Sequence, residues 1–209
     1  MEVLAQELHK GARRRYPTRR VVVSGIDHQW QADLVDMHQC KKMNKGYSYI
    51  LTIINILSKY AWAVALKTKN GPDTAAAFEL IFKQGRVPHL LQTDAGKEFI
   101  NKHMNTLLTK NDVNLFHTHS QRKASVVERF NRTLKERMWI KFTENNSNTY
   151  IHLLPKLIEE YNNTPHSSIG CKPSEVNKEN EQQVWQTLYG NLQSQQTKAS
   201  TKFKVGDAV

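Results

Sequence analysis

Apolar residues recur along this chain first in short runs and then at helical spacing, and the change of rhythm outlines the fold. Val21-Val22-Val23 and then Trp30 to Met37 read as extended chain, the second run placing Asp33 on one face and Ala32 and Leu34 on the other. Tyr47 to Leu57 is apolar except at Ser48, Thr52 and Asn55, as befits a strand buried on both faces. Tyr60 to Leu66 follows after only Ser58-Lys59, so the spacing predicts a hairpin and makes the first three long strands antiparallel.

Strands and helices then alternate. Pro72-Asp73 opens a helix through about Gln84, with Gly85 just past its end. His89 to Thr93 reads as a short strand, and Lys97 to Lys110 as a helix turning Phe99, Ile100, Met104, Leu107 and Leu108 inward. Val113 to Thr118 is the last strand. Three antiparallel strands followed by crossovers give an α/β fold, a mixed sheet with helices on its faces. A helix from Ser125 to about Phe142 follows, then one from Ile151 to Tyr161 with Pro155 in its first turn.

The flanks carry less pattern. Residues 1–20 hold Arg13-Arg14-Arg15 and Arg19-Arg20 and read as a basic flexible arm. Residues 177–200 are rich in Gln, Asn, Ser and Lys and read as a polar linker, with only Val184, Trp185, Leu188 and Tyr189 at helical spacing. Residues 201–209 look like a strand entering a turn.

Charge narrows the partners. Lys and Arg outnumber Asp and Glu by 30 to 19, a formal charge of +11 in 209 residues, which favours a polyanion, with nucleic acid ahead of a membrane surface. Two cysteines, Cys40 and Cys171, make neither a disulfide framework nor a Cys-rich zinc site. No apolar run reaches spanning length and no signal peptide opens the sequence, so a soluble intracellular protein is expected.

Three acids stand out against this basic background. Asp33 lies mid-strand, where an aspartate asks for a cation or a hydrogen-bond network. Asp94 lies just past the carboxyl end of a strand, where α/β proteins place ligands. Glu128 lies in the first turn of the helix from Ser125. Three carboxylates brought close repel unless divalent cations neutralise them, and oxygen donors suit magnesium or manganese. Two such ions serve phosphodiester chemistry. Plainer readings stand beside these: Ser125-x-x-Glu128 matches a capping box, and Asp94 before Ala95-Gly96 suits a turn. On the same helix Arg132 and Lys135 share an arc with Glu128 at about 100° per residue, and otherwise read as a solvated face. His117 and His119 read as structural or surface residues.

At these residues the sequence resembles the catalytic core of retroviral-type integrases and DDE transposases, and most closely the integrases of Maverick/Polinton elements. The stretches that carry the resemblance are Trp30 to Met37, Thr93-Asp94-Ala95-Gly96-Lys97-Glu98-Phe99 and Lys123 to Lys135, followed by Tyr161-Asn162-Asn163-Thr164-Pro165-His166-Ser167-Ser168-Ile169-Gly170 with Pro173 beyond. The 33 residues between Asp94 and Glu128 (128 − 94 − 1) are slightly fewer than in retroviral integrases, and Ala95 stands where those enzymes often have asparagine.

The resemblance implies an RNase H-like mixed five-stranded sheet with helices on both faces over residues 21–176. It implies Asp33, Asp94 and Glu128 as catalytic and metal-binding residues for two Mg2+ or Mn2+ ions, with Arg132, Lys135, Arg129, Arg122 and Lys123 on DNA. The implied activity is that of a polynucleotidyl transferase that nicks element DNA near its end and joins the 3′ end to target DNA, working in the nucleus as a dimer or higher assembly, with no membrane and no small-molecule substrate. Related proteins commonly carry an amino-terminal His/Cys zinc domain, which these 209 residues do not contain, and a carboxy-terminal SH3-like or chromodomain-like barrel, whose opening strand Phe203 to Asp207 resembles. Two other classes compete: a non-catalytic DNA-binding or assembly protein derived from an integrase, and an RNase H-like nuclease that cuts without joining.

Overall fold

A computed structural model describes residues 21–117 and 124–196 of the chain, without the side chains of residues 191–196. The basic arm, His119, Arg122, Lys123 and the barrel-like end lie outside the described residues. Five strands form one sheet: β1 (Gln29–Asp36), β2 (Tyr49–Asn55), β3 (Ala61–Leu66), β4 (Leu90–Thr93) and β5 (Asn114–His117), in the order β3-β2-β1-β4-β5. β1 pairs antiparallel with β2, and β2 with β3, while β1–β4 and β4–β5 are parallel, so the sheet is mixed as the spacing predicts. Five helices accompany it: α1 (Gly71–Phe82), α2 (Lys102–Lys110), α3 (Ser125–Glu144), α4 (Leu154–Asn162) and α5 (Glu181–Gln196).

The alternation along β1 divides the interior into two layers. Trp30 and Ala32 pack with Leu51, Ile53 and Trp62 under α1 and α2, where Phe78, Phe82, Met104 and Leu108 fill the space. Val35 joins Ile50 and Ile54 on the other face beneath Val127, Phe130, Leu134 and Met138 of α3 and Leu154, Leu157 and Tyr161 of α4. The indoles of Trp30 and Trp62 lie 4.3 Å apart in the first layer, a contact that joins two strands across the intervening β2.

Local chemistry sets the helix ends. Asn70 caps α1 by accepting from the Asp73 amide, and Asn101 caps α2 by accepting from the Met104 amide. That second cap explains why α2 begins at Lys102 and not at Lys97. Phe99 is buried in the turn ahead of it, and Ile100, expected to face inward, is 47% exposed. Val21 to Val23 stay outside the sheet, although Val23 is buried.

Residues 181–196, read from composition as part of a polar linker, form α5. Its few apolar residues recur on one side, and they suffice: Val184, Leu188 and Tyr189 pack with Val23, Ile56, Leu57, Ile169 and Val176 in a third cluster. Trp185 donates its indole N–H to the Val23 carbonyl at 2.7 Å, and Glu181 accepts from the Ile26 amide at 2.8 Å. Cys40 and Cys171 are both free thiols. Among the described residues no helix is long and apolar enough to cross a membrane.

The outer side of β3 is closed by a side chain. Asn162, at the end of α4, accepts from the Ala61 amide and donates to the Ala61 carbonyl, both at 2.9 Å, so its carboxamide takes the place of a neighbouring strand. Asn162→Ala strips both partners from a buried backbone pair, and we expect it to cost about 1–3 kcal/mol, read as a lowered midpoint in urea unfolding.

Candidate active site

The three acids arrive from three elements. Asp33 is half-buried on the face of β1 that looks toward α3; its Oδ1 accepts from the Leu34 amide and its Oδ2 from Asn131 Nδ2, each at 2.8 Å. Asp94 and Glu128 are exposed, the first just past β4 and the second in the opening turn of α3. Asp33 lies within the electrostatic reach of both other carboxylates. Burial pushes the Asp33 pKa up, and the charges of Asp94 and Glu128 push it further, against the pull of the Leu34 and Asn131 hydrogen bonds. Among the described residues no three His, Cys, Asp or Glu side chains already stand as a metal cage.

Glu128 does not act as the cap of its own helix. The residue before α3 is Ala124, which offers no capping side chain. Gln31 of β1 takes that role, its Oε1 accepting from the Val126 and Val127 amides at 3.0 Å each. Because an amide N–H can only donate, Gln31 must present its oxygen to α3 and turn its NH2 the other way. There Gln31 Nε2 donates to Gln92 Oε1 of β4 at 2.9 Å, and Gln29 donates to the same oxygen at 2.9 Å. The capping duty that the sequence offers Glu128 is thereby met from β1, and the Glu128 carboxylate is left within electrostatic reach of Asp33.

The linkage has a regular spacing. Gln31 lies two residues before Asp33, Gln92 two before Asp94, and Val126 two before Glu128, so one buried amide chain joins the three acid-bearing elements just below their acids. Asp94 itself is held through its backbone as well as its side chain. Its Oδ1 accepts from the Gly96 amide at 3.2 Å, the turn that its neighbours suggest. Its carbonyl accepts from the Thr93 hydroxyl at 2.7 Å and lies 2.9 Å from His117 Nδ1. A carbonyl cannot donate, so the His117 Nδ1–H donates to it, tying the end of β5 to the segment that carries Asp94.

Sequence reasoning missed Gln31, Gln92 and Asn131. Asn131 is visible in retrospect as a polar residue one turn after Glu128 on a helix side that is otherwise apolar; it is 7% exposed, and among the described residues its Oδ1 has no hydrogen-bond partner. Arg129, Arg132 and Lys135 are all exposed on α3, and none is in an ion pair with a described carboxylate. Asp36, the weaker acid on β1, is exposed and bonded to the His38 amide and ring, which lower its pKa.

Carboxylate oxygens are the donor type that hard divalent cations take, and Asp33 is held toward its neutral form by burial and by the charges of Asp94 and Glu128, although among the described residues the three are not grouped as a cation site.

This sheet order and helix arrangement form the RNase H-like fold of integrase catalytic cores. The chain superposes on the HTLV-2 integrase catalytic core domain, solved in complex with magnesium in a trimeric form, with a TM-score of 0.60 over 76% of this chain and 99% of that one, at 17% identity. The dimeric form of the same domain gives 0.61 over 72% and 96%. Residues 25–123, just under half of the chain, match the family model described as the integrase core domain.

Relatives by sequence include a transposon-derived protein of Caenorhabditis elegans, 38% identical over 143 residues, which are 68% of this chain and 50% of that protein. The Gag-Pol polyprotein of feline leukemia virus is 30% identical over 147 residues, 68% of this chain and 8% of the polyprotein. The chain thus spans about half the length of the first of these relatives and a small part of the second. These likenesses are to integrase core domains of the transposon and retroviral type.

Two outcomes follow from the geometry. Gln31→Leu leaves two amides of α3 without their acceptor and removes one of the two donors to the Gln92 oxygen, and we expect it to cost about 2 kcal/mol, measured by chemical denaturation. The second concerns pH. Because the native Asp33 pKa is raised, the folded protein holds that proton longer than the unfolded chain does, and stability falls as pH rises from the ordinary aspartate range through the raised value. Melting temperatures recorded against pH in metal-free buffer should show this decline, and Asp33→Asn should flatten it.

Proposed function

We propose that this chain is the catalytic core of a DNA integrase or transposase, nicking the end of a mobile element and joining the 3′ end to target DNA. The observation that carries the reading is that Asp94 and Glu128 both act on Asp33, on elements cross-linked by Gln31 and Gln92. Asp33, Asp94 and Glu128 would hold Mg2+ or Mn2+. Bound there, two such ions supply a Lewis acid that makes a potent nucleophile from water at neutral pH and stabilises the leaving oxygen of a phosphodiester.

The chain's own residues do the rest. Asn131 orients the Asp33 carboxylate by donating to Oδ2, and Gln31 fixes the height of α3 against β1 so that Glu128 stays beside it. Arg132 and Lys135, with Arg122 and Lys123 just before α3 in the sequence, give phosphate contacts that position DNA without reading sequence. Both DNA ends and target must be held at once, which argues for at least two copies of the chain; the solved forms of the HTLV-2 core include a dimer and a trimer. A nuclear setting follows from the substrate. For the type of element we favour the Maverick/Polinton kind, on the residue resemblance set out above and on the higher identity to a transposon-derived protein than to viral polyproteins.

The test is a gel assay of nicking and strand joining on short duplexes with and without magnesium or manganese. Metal-dependent products are expected from the parent and should fall at least a hundredfold in Glu128→Gln and Asp94→Asn, on the order expected for loss of a group that acts only in the transition state. Cleavage without joining would favour the nuclease reading. DNA binding by folded protein with no products would favour a binding protein, and strand transfer retained by Asp94→Asn would remove that residue from the site.

A further inference from the structure

A second cluster, of two cationic side chains and a histidine, gathers where α3, α4 and the turn between β2 and β3 meet. Three contacts bring its parts together. The bidentate bond of Asn162 to Ala61 seats the end of α4 two residues from Lys59, in the turn between β2 and β3. Phe130 meets Tyr161 edge-on at 4.8 Å, which brings the first turns of α3, and with them Arg129, to the same place. Tyr161 in turn meets the ring of His166 at 6.4 Å. Lys59, Arg129 and His166 thus come from three segments to one locus.

None of the three has an acidic partner among the described residues. Lys59 sits in a left-handed turn position, φ 60°, and its ammonium donates to the Ile56 carbonyl at 2.6 Å, leaving two of its three protons without an acceptor there. The Ser168 amide donates to His166 Nδ1 at 3.3 Å, and the Ser168 hydroxyl lies 3.0 Å from the same nitrogen. The neutral ring therefore carries its proton on Nε2, the edge turned away from Ser168. Like charges oppose one another here: burial and the Arg129 charge lower the Lys59 pKa to about 8, and burial with the charges of Lys59 and Arg129 lowers that of His166, keeping its ring neutral. Partly buried cations of like sign cost free energy unless an anion joins them.

We propose that Lys59, Arg129 and His166 form a subsite for one backbone phosphate of bound DNA, separate from the carboxylate triad. The guanidinium offers a fork to two phosphate oxygens, the ammonium a compact charge, and His166 an N–H from Nε2. Arg129 follows Glu128 directly on α3, so a phosphate held there anchors the strand to the helix that carries Glu128. The assignment rests on DNA being the substrate, and it adds a fixed point that Arg132 and Lys135, farther along α3, do not supply.

The test uses binding and needs no metal. Fluorescence anisotropy of a labelled short duplex is followed across a salt series, in chelator, for the parent and for Lys59→Met, Arg129→Gln and His166→Gln. Each variant should bind several-fold more weakly, and the slope of log affinity against log salt should become shallower by about one unit. Since the three share one phosphate, the double variant of Lys59 and Arg129 should lose little more slope than either single one. In NMR titrations the His166 pKa should rise when the duplex binds.

Unchanged slopes with an unchanged His166 titration overturn the subsite, as does a parent protein that binds no duplex. Arg129 is exposed, so its variant keeps the test decisive if Lys59→Met fails to fold. A protein that nicks and joins DNA with unaltered slopes loses the subsite alone; one that shows the slope change but makes no metal-dependent products loses the catalytic reading alone.

Discussion

The pair of hydrogen bonds from the Val126 and Val127 amides to Gln31 is the constraint on which the site depends. A helix N-terminus needs acceptors, and here they come from the neighbouring strand, at a position buried to 0% exposure. The same carboxamide then has an NH2 group that it must satisfy without water, and Gln92 is what it finds. Two requirements of polar satisfaction therefore fix the relative height of β1, β4 and α3, and with it the relation of three acids that are otherwise distant in sequence. The carboxylates repel, so the frame beneath them has to hold them against their own field.

Much of the scaffold was legible in the sequence because binary pattern and turn chemistry agree there. The antiparallel hairpin of β2 and β3, the two crossovers and the long helix from Ser125 all follow from period and punctuation. What was not legible depends on partners far away in the chain. Ser125-x-x-Glu128 offers a local cap, and no local rule says that Gln31, 94 residues earlier (125 − 31), will pre-empt it. Gln31 and Gln92 are single polar positions within short strands, and only their proximity turns them into a linkage. Asn131 was hidden for the same reason.

The misreadings have physical causes too. Composition treated residues 177–200 as a linker because most of them are polar, yet four apolar residues on one side of α5 find a ready surface on Val23, Ile56 and Ile169. Ile100 fitted a helical period that began too early, since the cap at Asn101 starts α2 after it. In both cases tertiary contact or a single capping side chain outweighed an average over a window.

The seat of α5 has a mechanical side. Trp185 is fastened to Val23 and Glu181 to Ile26, so the strand of chain that leads into the sheet and the helix that leads away from it are tied to each other. Tension applied through the flanking polypeptide would load that knot before it reached any rung of the sheet. Tugging, looping or reorientation of whatever is attached on either side is thus insulated from the register of β1 with β4, on which the spacing of the acids rests.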